Sequence, residues 1–208
     1  MAIKNSKVKI GPIVALIVIV LSCAAAVGCL SYISPPEDKV ETFNYPPEFF
    51  CAGAGNHIDY QTDGKCAAYA AAYLLRNCGE NADGETLFTE LKRPFGFASA
   101  NSITDVFKEY GYQAKAFRGN IDTLKQRLTE GQPIIVFIRI PGDTHYAVVV
   151  GYDERHVYMS DSLAENANKS DPQFNRVLTT EEFEDVWKNG TLLPDNIYIV
   201  VGMQTGDL

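Results

Sequence analysis

The sequence predicts an α+β fold in which helices come first and antiparallel strands follow, with one apolar helix ahead of them. Residues 66–129 are dominated by predicted helical segments, the first of which is rich in alanine and leucine, whereas residues 133–201 are dominated by β-branched strand segments. This separation favours a sheet with segregated helices over alternating β–α–β units. Near the N-terminus, residues 10–33 form a long uncharged apolar stretch, which predicts a membrane or signal segment.

Residues 1–33 are predicted to direct the chain to a membrane. Residues 10–33 carry no formal charge, and Lys4, Lys7 and Lys9 precede them. A bilayer-spanning helix needs about 20 apolar residues, and basic residues favour the cytoplasmic side. We therefore expect a single-pass helix with the rest of the chain outside the cell.

Two other uses of this segment keep the same direction of export. Residues 24–26 are three alanines, which suit cleavage of a signal peptide behind its apolar core. Residues 20–23 resemble a bacterial lipobox, in which Cys23 carries the lipid. The protein is therefore expected to be membrane-anchored, secreted or lipid-anchored.

The composition of the exported part excludes a basic nucleic-acid-binding face. The chain has 18 Lys and Arg against 26 Asp and Glu, and without the three N-terminal lysines 15 basic side chains face 26 acidic ones. Binding to phosphate backbones needs clustered Lys and Arg, so we expect no nucleic-acid partner. Residues 34–50 contain four prolines and are predicted to be an extended tether, while residues 51–208 form one domain.

The expected helices and strands follow from periodicity and from residues that begin or end helices. Asp63 is placed to cap a helix over residues 66–76, which Gly79 ends. Ser102 and Asn120 are the expected first caps of two later helices. Further helices are expected over residues 86–91, 102–110, 121–129 and 180–188. Strands are expected over residues 112–117, 133–140, 146–150, 157–159 and 197–201.

Cys66 is the candidate nucleophile. It lies in the first turn of its predicted helix, where unpaired N–H groups and the helix dipole favour a thiolate, and Lys65 adds a positive charge beside it. A small buried hydrophobic residue is the other role that a free cysteine commonly has. Gln61 lies five residues earlier, and its side-chain N–H₂ can join the backbone N–H of Cys66 as a donor to an oxyanion.

His145 is the expected base and Asp161 its partner. Of the three histidines, His156 falls in a charged turn and His57 in a polar loop, whereas His145 opens an apolar strand. If the hairpin turn centres near residue 153, paired residue numbers sum to about 306 and His145 lies directly opposite Asp161. A carboxylate there orients the imidazole and stabilises its charged form. A purely structural His–Asp pair is the alternative.

Together these residues resemble a known peptidase family. Gln61 and Cys66 at the start of a helix, followed by residues 145–152 and 157–161, are similar to cysteine peptidase family thirty-nine. These papain-like peptidases cut bacteriocin leaders after a double glycine. The resemblance covers about residues 56–202.

The resemblance implies a papain-like fold, with N-terminal helices packed on an antiparallel sheet, that hydrolyses peptide or amide bonds. It implies Cys66 as nucleophile, His145 as base, Asp161 as orienting acid and Gln61 as oxyanion donor. No metal or cofactor is implied. The family's best-known members are fused to an ABC exporter, whereas here we expect a stand-alone exported peptidase acting on a peptide or protein substrate.

Two other functions stay open at this point. Ala67 follows the candidate nucleophile where family members usually have glycine, and Ser162 follows the acid where relatives often have proline. A catalytically silent papain-like module that binds a partner at the cell surface is one alternative. A transglutaminase-like acyl transferase, which needs an amine acceptor, is the other. The oligomeric state has no signal in the sequence.

Two further features concern the exported part. Cys51 and Cys78 flank the candidate helix, and an oxidising compartment permits a disulfide between them. Residues 162–178 are expected to form a long polar loop, either a rim for substrate or a plain surface excursion.

Overall fold

The computed structural model describes residues 18–19, 34–53, 55–62, 64–93, 96–189 and 194–202. Two units are distinguished along the chain, Met1–Ser34 and Pro35–Leu208. The membrane or signal segment predicted over residues 1–33 therefore falls outside the described residues, apart from Val18 and Ile19. Within the part of the chain that is described, no helix has the length and apolar character needed to cross a bilayer.

The unit Pro35–Leu208 has the predicted α+β composition, with strands concentrated in its second half. Its described helices are α1 (Cys66–Asn77), α2 (Gly84–Glu90), α3 (Ala100–Glu109), α4 (Ile121–Leu128) and α5 (Thr180–Trp187). Its described strands are β1 (Phe49–Phe50), β2 (Gln113–Arg118), β3 (Ile134–Ile140), β4 (Asp143–Tyr152), β5 (His156–Ser160), β6 (Arg176–Thr179) and β7 (Ile197–Gly202). A short 3₁₀ turn, Ala164–Asn166, lies between β5 and β6.

The strands form one antiparallel sheet in the order β2-β7-β3-β4-β5-β6, and β1 adds to β4. Alternate residues of β4 belong to two hydrophobic cores, because successive side chains of a strand point to opposite faces. Val148 packs with residues of α1, α2 and α3, whereas Val149 packs with residues of α4 and α5. The sheet is therefore covered by helices on both faces, and α1 lies on the same face as Val148.

Helix α1 is buried along most of its length. Every residue from Ala67 to Leu75 is buried, and five of these nine are alanines, whose small side chains let the helix approach the sheet closely. The helix ends as the sequence predicts. Gly79 has φ of +95°, and the N–H groups of Gly79 and Glu80 bind the carbonyls of Arg76 and Leu75. This arrangement is a Schellman motif, in which the residue just after the helix has a positive φ. Glycine suits this position because it adopts a positive φ without strain.

The helix starts agree with the sequence only in part. Asn120 caps α4 as predicted, accepting a hydrogen bond from the backbone N–H of Thr123. Helix α3 begins at Ala100, two residues earlier than predicted, because Ser99 is the cap and Ser102 is its reciprocal partner in the capping box. The predicted cap of α1, Asp63, lies outside the described residues.

The predicted tether, residues 34–50, contains no helix, and its residues 35–50 contact the rest of their unit. Asp38 is buried and binds the guanidinium of Arg127 through both carboxylate oxygens, at 2.8 Å each. The hydroxyl of Tyr198 also donates to Asp38. At the other end of the segment, β1 pairs with the last residues of β4. The segment is therefore held at both ends by specific contacts.

Replacing Asp38 by asparagine is expected to lower the free energy of unfolding by about 2 kcal/mol. The change removes the charge that faces Arg127, whose side chain is only 22% exposed, and a buried ion pair that loses one partner is strongly destabilised. Urea unfolding of the full chain measures the loss.

The matched control is Asp185→Asn, which breaks an ion pair with Arg139 between side chains that are 70% and 48% exposed. Exposed pairs contribute about 0–1 kcal/mol, so this variant should unfold almost like the parent. Equal losses in the free energy of unfolding for the two substitutions would contradict a stabilising buried ion pair between Asp38 and Arg127.

Candidate active site

Cys66 is the first residue of α1 and is half-buried. Its backbone N–H has no intrahelical partner, because the first N–H groups of a helix precede its hydrogen-bonding repeat. The cap position is taken by Lys65, which makes no side-chain capping bond. The ammonium of Lys65 binds Glu85 at 2.6 Å, so the positive charge expected beside the thiol is paired with a carboxylate instead.

His145 and Asp161 are in direct contact, as the hairpin argument predicts. Nε2 of His145 lies 2.7 Å from Oδ1 of Asp161, and both side chains are at most 2% exposed. Cys66 lies close enough to the imidazole to raise its pKa. Because Nε2 is engaged by the carboxylate, Nδ1 is the ring nitrogen that remains for the thiol. The structure thus brings Cys66, His145 and Asp161 into one chain of contacts.

The register that produces this contact differs from the predicted one. Val148 pairs with Ser160 and Tyr152 pairs with Val157, with a β-bulge between Val149 and Gly151. The turn is displaced because the carboxylate of Asp153 accepts the backbone N–H groups of the two residues that end it.

His145 and Asp161 are consequently diagonal neighbours across the two strands, and the prediction that they are directly opposed is wrong. Diagonal positions share a face of the sheet and lie within reach of long side chains. The contact between the two side chains is therefore preserved although the register is shifted.

Electrostatics favour the charged form of the imidazole. Burial lowers the pKa of His145, but the hydrogen bond that the imidazolium donates to Asp161, the nearby Cys66 and the charges of these two groups outweigh burial and raise it to about 9. Burial raises the pKa of Asp161, and the hydrogen bond and charge of His145 reverse this, so that the pKa is held below its usual value. At neutral pH the pair is therefore an imidazolium beside a carboxylate.

Asp161 is held by more donors than the sequence indicates. Oδ1 also accepts the backbone N–H of Leu163 at 2.9 Å, while Oδ2 accepts from Asn166 at 3.0 Å and from Arg176 at 2.9 Å. The side chain of Asn175 binds both backbone groups of Asp161. These donors come from the segment predicted as a polar loop, which contains β6. Its pattern carries no strand period, so the sequence offers no signal for Arg176.

Gln61 is held by one hydrogen bond at its backbone and one at its side chain. Its backbone N–H donates to the carbonyl of Ser162 at 2.9 Å, which ties the loop before α1 to the residue after Asp161. Its side-chain Oε1 accepts the backbone N–H of Lys65 at 2.7 Å. The amide oxygen is thereby used locally, and the side-chain N–H₂ group makes no hydrogen bond with another described residue.

The other two histidines are engaged elsewhere. His57 lies 3.3 Å from Asp59 with 59% of its side chain exposed, and His156 lies 3.1 Å from Asp153. His156 is the first residue of β5 rather than a turn residue. Among the described histidines, His145 is the one that contacts Cys66.

Cys51 and Cys78 are free thiols, so the disulfide considered from the sequence is absent from the structure. The Cys51 thiol donates to the carbonyl of Val150, and the Cys78 thiol lies 3.7 Å from Oε1 of Gln132. Burial raises the pKa of Cys51 to about 12, and burial with the charge of Glu80 raises that of Cys78 to about 11. Both thiols are therefore protonated at neutral pH.

The chain matches a model of a known protein family. The family described as "Peptidase_C39 like family" matches residues 56–191, a range that contains Gln61, Cys66, His145 and Asp161. The chain belongs to this family. Membership makes it a cysteine peptidase, a hydrolase of peptide bonds. None of the curated protein sequences matches this C39-like chain.

Solved structures share the fold of this C39-like domain. A C39-like peptidase from Bacillus anthracis has a TM-score of 0.60 at 17% identity, covering 77% of this chain and 100% of its own. The peptidase domain of ComA from Streptococcus, a bi-functional ABC transporter in quorum sensing, has a TM-score of 0.59 at 17% identity, covering 72% and 99%. A double-glycine-motif protease from an AMS/PCAT transporter, bound to its leader peptide, has a TM-score of 0.52 at 15% identity, covering 72% and 95%. The papain-like antiparallel architecture is thus confirmed.

The described residues contain no group of three or more His, Cys, Asp or Glu that could hold a metal ion. The site described above is built from a thiol, an imidazole, a carboxylate and amide groups. Its chemistry is accordingly that of a nucleophile, a proton carrier and hydrogen-bond donors.

The stability of the C39-like domain is expected to fall at alkaline pH through His145. A histidine whose pKa rises from 6.5 to about 9 on folding stabilises the fold fully below about pH 6.5, and this contribution is lost as pH rises through 9. The loss amounts to about 3 kcal/mol. Because the pKa of Asp161 is lowered, its contribution is instead lost at acidic pH.

Urea unfolding between pH 5 and pH 10 tests this on the parent and on His145→Ala. The parent should lose stability relative to the variant between pH 6.5 and 9, so that the two curves converge. Parallel curves over this range would contradict a charged, buried His145.

Proposed function

We propose that this protein is an exported, membrane-tethered cysteine peptidase in which Cys66, His145 and Asp161 form the catalytic triad. The observation that carries the proposal is the chain of contacts from the thiol through the imidazole to the carboxylate. Nε2 of His145 is committed to Asp161, which leaves Nδ1 for the sulfur. This is the order of groups that thiol-based acyl transfer requires: nucleophile, proton carrier and orienting acid.

The thiol acts as the thiolate, with His145 as imidazolium. The pKa of about 9 at His145 keeps the imidazole charged at neutral pH, which stabilises a thiolate in contact with it. The thiolate attacks the scissile carbonyl carbon, and the C–N bond breaks as the imidazolium gives its proton to the leaving amine. Neutral His145 then takes a proton from water, which attacks the thioester and releases the acid and the thiolate.

The oxyanion formed at each attack needs donors fixed in advance. The donors that we propose are the backbone N–H of Cys66 at the helix start and the side-chain N–H₂ of Gln61. Lys65 holds the amide oxygen of Gln61 through its backbone N–H at 2.7 Å. With the oxygen held, the N–H₂ end is the part of the amide that is left to face a substrate.

A peptide is the substrate class that we propose for this site. Family membership supports peptide-bond hydrolysis, and one protein of similar fold is a protease solved in complex with a leader peptide. This class includes any peptide or protein segment whose scissile carbonyl reaches the sulfur of Cys66.

Alkylation of thiols by iodoacetamide tests the triad without knowledge of the substrate. In the full chain, Cys66 should react at neutral pH, while Cys51 and Cys78 should react slowly because their thiols are protonated. His145→Ala should slow labelling of Cys66 at pH 7 at least tenfold, since the thiolate loses its counter-charge. Peptide mapping of the labelled cysteines gives the rate at each position.

Activity on a casein or peptide-library substrate separates this function from its alternatives. Cys66→Ala should abolish hydrolysis, while Cys78→Ala should retain it as the matched thiol control. A silent binding module predicts slow labelling of Cys66 that is unaffected by His145→Ala. A transglutaminase-like enzyme predicts incorporation of a primary amine in place of hydrolysis.

Export and tethering are supported by the sequence of residues 1–33. Three lysines precede an uncharged stretch, which favours a cytoplasmic N-terminus and an outward-facing catalytic domain. In this arrangement the substrate is an extracellular or cell-surface peptide. A retained helix anchors the protein, whereas a cleaved signal or a lipid on Cys23 gives the secreted or lipid-anchored form.

Protease added to intact cells should degrade residues 34–208, because they lie outside the membrane. A cytosolic protein measured in the same cells is the control and should survive until lysis. Immunoblotting with an antibody to the C-terminal domain gives the result. Protection of the domain in intact cells would contradict export.

A further inference from the structure

Asp161 lies between cationic side chains from the two strands that flank it. His145 reaches it from β4 on one side, and Arg176 reaches it from β6 on the other. Arg176 pairs with Met159, two residues before Asp161, so it is a diagonal neighbour of the carboxylate in the same way as His145. Each cation takes a different oxygen: His145 binds Oδ1, and Arg176 binds Oδ2.

The contact with Arg176 is a buried ion pair. The side chain of Asp161 is fully buried and that of Arg176 is 11% exposed. A carboxylate removed from water in this way stays ionised only when charged or polar donors compensate its lost hydration. Arg176 supplies a permanent charge at any pH at which the domain is folded, whereas the charge of His145 depends on its own protonation.

We propose that Arg176 is a positioning residue of the peptidase, which acts through Asp161 by holding this carboxylate ionised and oriented toward His145. The proposal rests on the function proposed above, because it assigns Arg176 a part in setting the charge of the Cys66–His145 pair. Arg176 thereby extends the triad of Cys66, His145 and Asp161 by one residue. That residue comes from a strand that the sequence does not predict.

The groups that face this carboxylate determine the direction of the effect. The ionisable groups facing it among the described residues are His145 from β4 and Arg176 from β6, and the turn after β5 contributes neutral donors. On the side of α1, Cys66 faces the imidazole. A positive charge at Arg176 favours the deprotonated form of the Asp161 carboxyl and of the His145 imidazolium. Removing this charge therefore raises the pKa of both groups.

The test is the rate of Cys66 alkylation by iodoacetamide as a function of pH in the full chain. The profile should show an inflection where the imidazolium of His145 loses its proton, because the charge beside the thiol then disappears. In Arg176→Gln this inflection should move to higher pH by about 0.5–1 unit. In Arg176→Lys, which keeps the charge, it should stay within about 0.2 units of the parent.

Arg139→Gln is the matched control, because it removes an arginine whose side chain is 48% exposed and pairs with Asp185 on the surface. Solvent screens this charge, so the inflection should not move. An unshifted inflection in Arg176→Gln would overturn the proposal, as would an equal shift in Arg176→Lys. A merely structural role lowers the amount of folded protein without moving the inflection.

Two further results keep the outcome decisive. If Arg176→Gln does not fold, adding Asp161→Asn should restore folding, because it removes the carboxylate left unpaired, and failure to restore it would overturn the proposal. The parent and His145→Ala are measured alongside. If the profile of His145→Ala equals that of the parent, Cys66 and His145 do not form a pair. If the profile of His145→Ala differs from that of the parent and the profile of Arg176→Gln does not, the thiol–imidazole pair stands and the proposed role of Arg176 is wrong.

Discussion

The burial of one carboxylate, that of Asp161, is the constraint around which the catalytic half of the domain is arranged. A fully buried carboxylate is stable only if donors replace water at both oxygens. Four donors do so, and they come from β4, from β6 and from the turn that follows β5. Satisfying this single group therefore fixes three strands relative to one another, and it directs the imidazole of His145 toward the helix that carries the thiol.

Packing of α1 on the sheet supplies the other half of the site. Nine consecutive buried residues, five of them alanine, hold the helix close to β4, which carries His145. The hydrogen bond from Gln61 to the carbonyl of Ser162 joins the loop before the helix to the end of β5. The thiol, the imidazole and the amide thus lie on elements that cannot shift independently. Such rigid support is what preorganised donors and a charged pair require.

Local chemistry in the sequence predicts much of the fold. Asn120 and Gly79 bound their helices as expected, because a capping side chain or a positive φ is a property of a few adjacent residues. The contact between His145 and Asp161 is also predicted, although the predicted pairing register of β4 and β5 is wrong. The bulge in β4 and the side-chain bonds of Asp153 shift the pairing, and neither leaves a mark on the hydrophobic alternation.

The helix that begins at Cys66, the histidine at the head of an apolar strand and the family resemblance could all be predicted from the chain, because each depends on short local motifs. The pairing of Lys65 with Glu85, the free state of Cys51 and the place of Arg176 beside Asp161 came only from the folded structure. These contacts join segments 15 to 20 residues apart or more, across loops with no regular period. Their geometry depends on how whole strands and helices pack, which no local pattern records.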